Sequence, residues 1–201
     1  MTEHTPPQSA EMRHFTFVLA SARRDGNTEV LTRIAAARLP PRWPQRWLRL
    51  MDLPLAPFED IRHSVGVYPD PTGHERLLLD ATLDATDLVF AAPLYWYSLP
   101  ASAKLYLDYW SGWLRVPGAQ FRARMTGKTL WGVCVLSDED PGRADPLIGT
   151  LAITAEYLEM EFGGVLLGYG SKPGDILSDR QALERAGGFF ASPASHLVTA
   201  I

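Results

Sequence analysis

The chain has 201 residues, 46% of them apolar and 21% charged, which is enough apolar material for one large domain with a sizeable core. A formal net charge of −4 argues against a nucleic-acid surface, and the single cysteine, Cys134, excludes an intrachain disulfide and any CxxC or Cys/His metal cluster. The start of the chain is polar and has no apolar signal segment, and the longest apolar stretch, 88–97, is broken by Pro93 and too short to span a bilayer. These features predict a cytoplasmic protein without a membrane or nucleic-acid partner. They also predict a polar tail over 1–12, one domain over 13–192 and a tail over 193–201.

Residues 15–20 are rich in β-formers and read as the first strand. The polar loop Ser21-Ala22-Arg23-Arg24-Asp25-Gly26-Asn27-Thr28 follows. Val30, Leu31, Ile34 and Ala35 then recur at helical spacing, and the helix should end near Leu39, ahead of Pro40 and Pro41. Hydroxyls and backbone N–H groups at a helix N-terminus suit a phosphate, and Gly26 lets the backbone approach closely. The competing reading is that Asn27 or Thr28 merely caps the helix. The loop has neither a P-loop GK[ST] nor a GxGxxG pattern.

Residues 47–53 read as a second strand, broken by Pro54 and Pro57. Residues 58–70 have no period and suggest a surface loop with a solvated His63. Thr72 and Glu75 have the spacing of a capping box, and Leu77, Leu78, Ala81 and Ala85 form the buried stripe of the next helix. Asp80, Asp84 and Asp87 fall on or beside its solvated face.

A third strand over 88–92 is buried in pattern and stops at Pro93. Leu94 and three consecutive aromatics, Tyr95, Trp96 and Tyr97, follow. Ser98 reads as an N-cap, with Pro100 in the first turn of a helix carrying Lys104 and Asp108. Three rings on a loop at the carboxyl end of a buried strand suit a planar ligand, though they could equally fill a core or a subunit contact.

Residues 128–137 make a fourth strand that buries Cys134 and ends at Ser137 in an acidic loop. Asp145 and Pro146 open a helix with the stripe Ile148, Leu151, Ala152, Ala155, Leu158 and Phe162, stopped by Gly163 and Gly164. A fifth strand covers 165–169. A second capping box starts at Ser178, and the last helix runs to about Phe190.

Five strands alternating with five helices call for one doubly wound parallel sheet. Right-handed crossovers gather the loops after strands one, three and four at one crevice. An anion site beside an aromatic platform suggests a phosphorylated planar ligand, and the strand order 2-1-3-4-5 binds FMN at this switch point.

At this point the sequence resembles the flavodoxin-like NAD(P)H-dependent FMN reductases and quinone reductases. The loop from Ser21 to Thr28 is similar to that family's S-x-R-x-x-G-N-T phosphate loop. Pro93 through Lys104, with Asp108, is similar to its P-x-Y…P-A-x-x-K-x-x-x-D segment. The resemblance implies a flavodoxin-like α/β fold and a bound FMN. It assigns Ser21, Arg23, Asn27 and Thr28 to the phosphate and Pro93, Leu94, Tyr95 and Trp96 to the ring edge, with Tyr97 a further stacking candidate. Gly26 and Ser137 complete the expected cofactor set. NAD(P)H would be the co-substrate, with a quinone, free flavin or other small molecule as electron acceptor. The alternative is an FMN-binding electron carrier without nicotinamide-dependent activity. No proton-transfer residue and no metal ligand is expected. The resemblance further implies a homodimer or homotetramer, with Trp110 and Trp113 available for the contact and Lys104 and Asp108 anchoring their helix. One departure stands out: where the family often has a Gly-Gly pair after strand four, this chain has Ser137-Asp138-Glu139-Asp140-Pro141-Gly142. The absence of cysteine from 53–63 excludes the iron–sulfur branch.

Overall fold

Apolar runs just long enough for a strand, separated by helical spacings, give this chain its layers. A computed structural model describes residues 12–64 and 66–191. Except for Met12, the two expected tails lie outside them. The strands are β1 (Phe15–Leu19), β2 (Gln45–Arg49), β3 (Asp87–Ala91), β4 (Thr129–Leu136) and β5 (Glu161–Tyr169). The helices are α1 (Asn27–Ala36), α2 (Gly73–Asp84), α3 (Ala101–Trp113), α4 (Phe121–Met125), α5 (Asp145–Tyr157) and α6 (Arg180–Ala186). All strand pairs are parallel, in the order β2-β1-β3-β4-β5, the flavodoxin-like order expected above.

Side chains alternate across the sheet because the strand period is two. Phe15 and Phe17 of β1, Val89 of β3 and Trp131, Val133 and Val135 of β4 face α1 and α6. Val18, Leu88, Phe90, Leu130 and Cys134 face the layer of α2, α3 and α5. Strands covered on both faces read as continuous apolar runs. Cys134 is fully buried, and burial pushes its thiol up to about 12, so it is a packing residue rather than a nucleophile.

Several sequence expectations shift. The second strand ends at Arg49, and Leu50–Asp52 is a 3₁₀ turn. Helix α1 ends at Ala36 and α6 at Ala186, both short of expectation, and α4 is additional. Ser98 does not cap α3; Pro100 occupies that position, and Ser98 closes the aromatic turn. Thr72 holds the N-cap position of α2 but makes no side-chain cap bond, and Glu75 accepts from Trp113 Nε1 at 2.9 Å rather than reaching back to complete a capping box. Asp179, not Ser178, caps α6, accepting from Ala182 N at 3.0 Å. Leu77 is 43% exposed rather than part of the α2 stripe. Tyr68 is buried and stacks parallel to Phe58, so their loop packs on the core rather than lying free. Trp110 and Trp113 are buried against Tyr106 and Phe121, so neither is available for a subunit contact.

Asp87 is the largest change in environment. It is buried rather than solvated, and it accepts from Arg13 Nε at 2.9 Å, Trp131 Nε1 at 2.9 Å and Thr86 Oγ1 at 2.8 Å. A buried carboxylate persists only with such partners.

Residues 161–164 belong to β5, not to the preceding helix. Helix α5 stops at Tyr157, and the chain reverses through Glu159 at φ 56°. The β4–β5 register then slips by one residue between Leu130 and Trp131. The cause is Trp131: a Cβ at Gly163 would lie 2.3 Å from its indole ring. The glycine makes room for the ring, and Gly164, at φ 95°, absorbs the extra residue of the bulge.

Gly163→Ala is therefore expected to lose about 1–3 kcal/mol of stability through overpacking against Trp131. Urea unfolding of the two proteins checks this; equal midpoints would show that the ring moves aside freely.

Candidate functional site

β1 and β3 end level, Leu19 pairing with Ala91, whereas β4 runs three residues past Val133, the partner of Ala91, to Leu136. Backbone pairing continues past the ends of β1 and β3, with Ala20 N donating to Ala91 O, and Ala92 N and Leu94 N donating to Val133 O and Val135 O of β4, at 2.9, 2.9 and 3.1 Å. The loops that follow surround a crevice of about 210 Å³. Its wall holds Ser21, Arg23, Gly26, Asn27, Thr28, Pro93, Leu94, Tyr95 and Ser137, all foreseen from the sequence. Val135, Gly170 and Ser171 also line it and were not foreseen. The signal was a glycine and a serine at the carboxyl end of the fifth strand, an end that the strand-one, -three and -four argument left out.

The inner end of the crevice is built for an anion. Gly26 is the N-cap of α1 and offers no side chain to the first-turn N–H groups. Those groups and the positive helix end favour negative charge. The Ser21 hydroxyl accepts from Arg23 N at 3.1 Å, which curls the loop toward the helix. Arg24 is paired with Asp52 at 2.6 Å, whereas Arg23 forms no ion pair among the described residues. Among the described residues, no carboxylate lines the crevice.

Asn27 does not cap the helix with its side chain. Its Nδ2 donates to Lys172 O at 2.8 Å, and its Oδ1 accepts from Gly174 N at 2.9 Å. It thereby clamps the loop after β5 against α1. Gly170 is required by this clamp, since a Cβ there would lie 2.6 Å from Asn27 Nδ2. Ser102 Oγ donates to Ala20 O at 3.1 Å and ties the start of α3 to the end of β1.

The aromatic loop is a tight turn. Tyr95 N donates to Ser98 O at 3.2 Å, and Ser98 N to Tyr95 O at 3.1 Å. Between them Trp96 and Tyr97 have φ of 49° and 63°. Positive φ at both central positions is ordinarily the province of Asn and Gly, so two rings there are strained. Trp96 is 93% exposed. Trp96 and Tyr97 do not line the crevice; they border an adjoining pocket of about 180 Å³ with Leu94, Leu136, Ser137, Asp138 and Arg143. Of the acidic loop, Asp138 reaches this pocket, and Arg143 lies near both Asp138 and Asp140, at 3.7 and 3.5 Å. Lys104 and Asp108 form an exposed pair along α3, away from the crevice.

The crevice lies at the switch point of a 2-1-3-4-5 parallel sheet, the place where doubly wound folds take their ligands. The family model described as flavodoxin-like fold matches residues 4–186. The chain is 33% identical over 165 residues to the Bacillus subtilis (strain 168) protein YwqN, whose assigned name is NAD(P)H-dependent FMN-containing oxidoreductase; the match spans 82% of this chain and 89% of that one. The solved structure of a Trp repressor binding protein from Bacillus subtilis superposes with a TM-score of 0.70 at 27% identity, covering 88% of this chain and 97% of the other. An NAD(P)H:quinone oxidoreductase from Methanothermobacter marburgensis has the same fold, with a TM-score of 0.66 at 17% identity over 88% of this chain and 94% of its own. The chain belongs to the flavodoxin-like family.

The loop also has an acid-sensitive element. Burial raises the Glu29 carboxyl, but hydrogen bonds from Arg49 and Arg33, the Arg49 charge and the Asp25 N–H together bring it below its ordinary value. A depressed folded value contributes stability above the unfolded one, about 4.3, and that stability is lost as the pH falls through the folded value. Urea unfolding of wild type and Glu29→Gln at pH 7 and pH 3 checks this; the stability gap between them should narrow at pH 3, and a gap that widens would refute it.

Proposed function

We propose that the chain is an FMN-dependent NAD(P)H oxidoreductase that reduces a quinone, free flavin or other small acceptor. The observation that carries this is the crevice itself: among the described residues, a helix N-terminus without a side-chain cap, an arginine without an ion pair and no lining carboxylate, opening toward an aromatic turn. This donor set fits the phosphate of FMN. Arg23, the Ser21 and Thr28 hydroxyls and the first N–H groups of α1 would hold the phosphate, with Gly26 allowing close approach. Pro93, Leu94, Tyr95 and Ser137 would flank the ring system, and Gly170 and Ser171 would close the side opposite the aromatic loop. Asn27 acts mainly by keeping that last loop in place.

When bound, FMN supplies hydride acceptance from the nicotinamide and electron release to the acceptor. The chain's part is to bind, orient and exclude water. Trp96 and Tyr97 offer apolar faces beside the crevice for stacking a planar nicotinamide or acceptor. The described relative's name, an NAD(P)H-dependent FMN-containing oxidoreductase, supports the same activity. Cytoplasmic residence and assembly as a homodimer or homotetramer belong to the same proposal. Among the described residues no helix is long and apolar enough to cross a membrane.

The test is an absorption titration with FMN, followed by anaerobic NADH or NADPH and then a quinone. Wild type should bind FMN, bleach with a nicotinamide and recover its colour with the quinone. Arg23→Ala should weaken FMN binding by roughly tenfold or more, the equivalent of one hydrogen bond to a charged group. Absence of FMN binding would overturn the proposal. Bound flavin that neither nucleotide bleaches would favour an electron carrier, whose basic partner the exposed Asp138, Glu139 and Asp140 would suit.

A further inference from the structure

Glu29 lies in the first turn of α1, is 3% exposed and does not line the crevice. A buried carboxylate beside an anion site is electrostatically unfavourable for the anion, so its presence needs a reason. Its hydrogen bonds supply one. Oε1 accepts from Nε and Nη2 of Arg33 at 3.1 and 2.7 Å. Oε2 accepts from the backbone N–H of Asp25 at 3.2 Å and from Nη2 of Arg49. Arg49, itself 11% exposed in its side chain, extends Nη1 to the carbonyl of Arg23 at 3.4 Å. Glu29 therefore grips the loop twice: directly at Asp25, and through Arg49 at Arg23.

Both grips fall on a segment that needs holding. Asp25 has φ of 53°, a left-handed conformation that a non-glycine residue keeps only when its surroundings demand it. The same network sorts the cations. Arg33 and Arg49 are bound to Glu29 and Arg24 to Asp52, which leaves Arg23 as the loop's guanidinium without an ion pair among the described residues.

We infer that Glu29, acting with Arg49, is a positioning residue for phosphate recognition. It fixes the backbone of 21–26 so that Arg23, the Ser21 hydroxyl and the α1 N-terminus converge on one point. This rests on the FMN reading above. It makes a prediction opposite in sign to simple electrostatics. Removing a negative charge near an anion site should tighten the anion; removing a positioning group should loosen it.

The test compares FMN with riboflavin, which lacks the phosphate, by flavin fluorescence titration of the intact protein. Wild type should prefer FMN. Glu29→Gln should lose FMN affinity by roughly tenfold or more, the equivalent of one charged hydrogen bond, with riboflavin affinity unchanged. Arg49→Lys, which keeps the charge but not the fork that reaches both Glu29 and Arg23, should act in the same direction and serves if the first variant fails to fold. An FMN affinity that rises or stays level in both variants overturns the inference, as does a parallel fall for FMN and riboflavin. A wild type that binds FMN no better than riboflavin overturns the phosphate reading itself, and this inference with it.

Discussion

The in-register parallel pairing of β1, β3 and β4 is the constraint on which the site depends. Parallel pairing in register leaves Leu19, Ala91 and Val133 side by side, and right-handed crossovers send all three following loops to the same edge. The backbone bonds beyond the strands, at Ala20, Ala92 and Leu94, hold the loop roots as firmly as the strands hold their own residues. Helix α1 then starts within a few residues of β1, so its N-terminus has to face the crevice. The bonds of Glu29 to Asp25 N and of Arg49 to Arg23 O hold the loop between the two elements.

That geometry makes an anion site, and the surrounding charges determine how selective it is. Four arginines, at 23, 24, 33 and 49, lie on or beside the loop. Without partners they would spread positive charge over a wide surface. Glu29 and Asp52 take up three of them, and the remaining guanidinium sits on the crevice wall. Asn27 adds the far side by clamping Lys172 and Gly174, so a loop distant in sequence becomes part of the same wall.

What could be read from the sequence was whatever local pattern controls. β1, β3 and β4 are covered on both faces, so their apolar runs were plain, and the loops leaving them carried most of the crevice residues. What could not be read depends on distant partners. Asp87 looks like a helix-surface charge until Arg13 and Trp131, 74 and 44 residues away, enclose it. Glu75 has capping-box spacing but is claimed by Trp113, 38 residues on. Gly163 and Gly164 resemble a helix stop because nothing local reveals that Trp131 needs the space above them. Gly170 and Ser171 join the wall because Gly170 N donates to Leu136 O at the end of β4 and the distant Asn27 clamps the loop that follows.

The aromatic turn shows how a strained segment can be kept. Trp96 and Tyr97 both adopt positive φ, a conformation costing on the order of 1–3 kcal/mol at each bulky residue. The paired bonds between Tyr95 and Ser98 close the turn on one side, and Leu94 is pinned to Val135 on the other. Pro93 and Pro100 restrict the chain at both ends. A relaxed turn with Asn and Gly at these positions would have the same path and no rings. The arrangement therefore carries backbone strain and an exposed indole while holding two aromatic faces beside the crevice. In the same place the loop after β4 brings up Asp138, with Arg143 reaching back to within 6.0 Å of the Tyr97 ring centre. Among the described residues, the crevice is thus lined by an arginine and no carboxylate, whereas the adjoining pocket, which shares Leu94 and Ser137 with it, is aromatic with Asp138 and Arg143 on its wall. The two pockets meet at those shared residues with opposite chemical character.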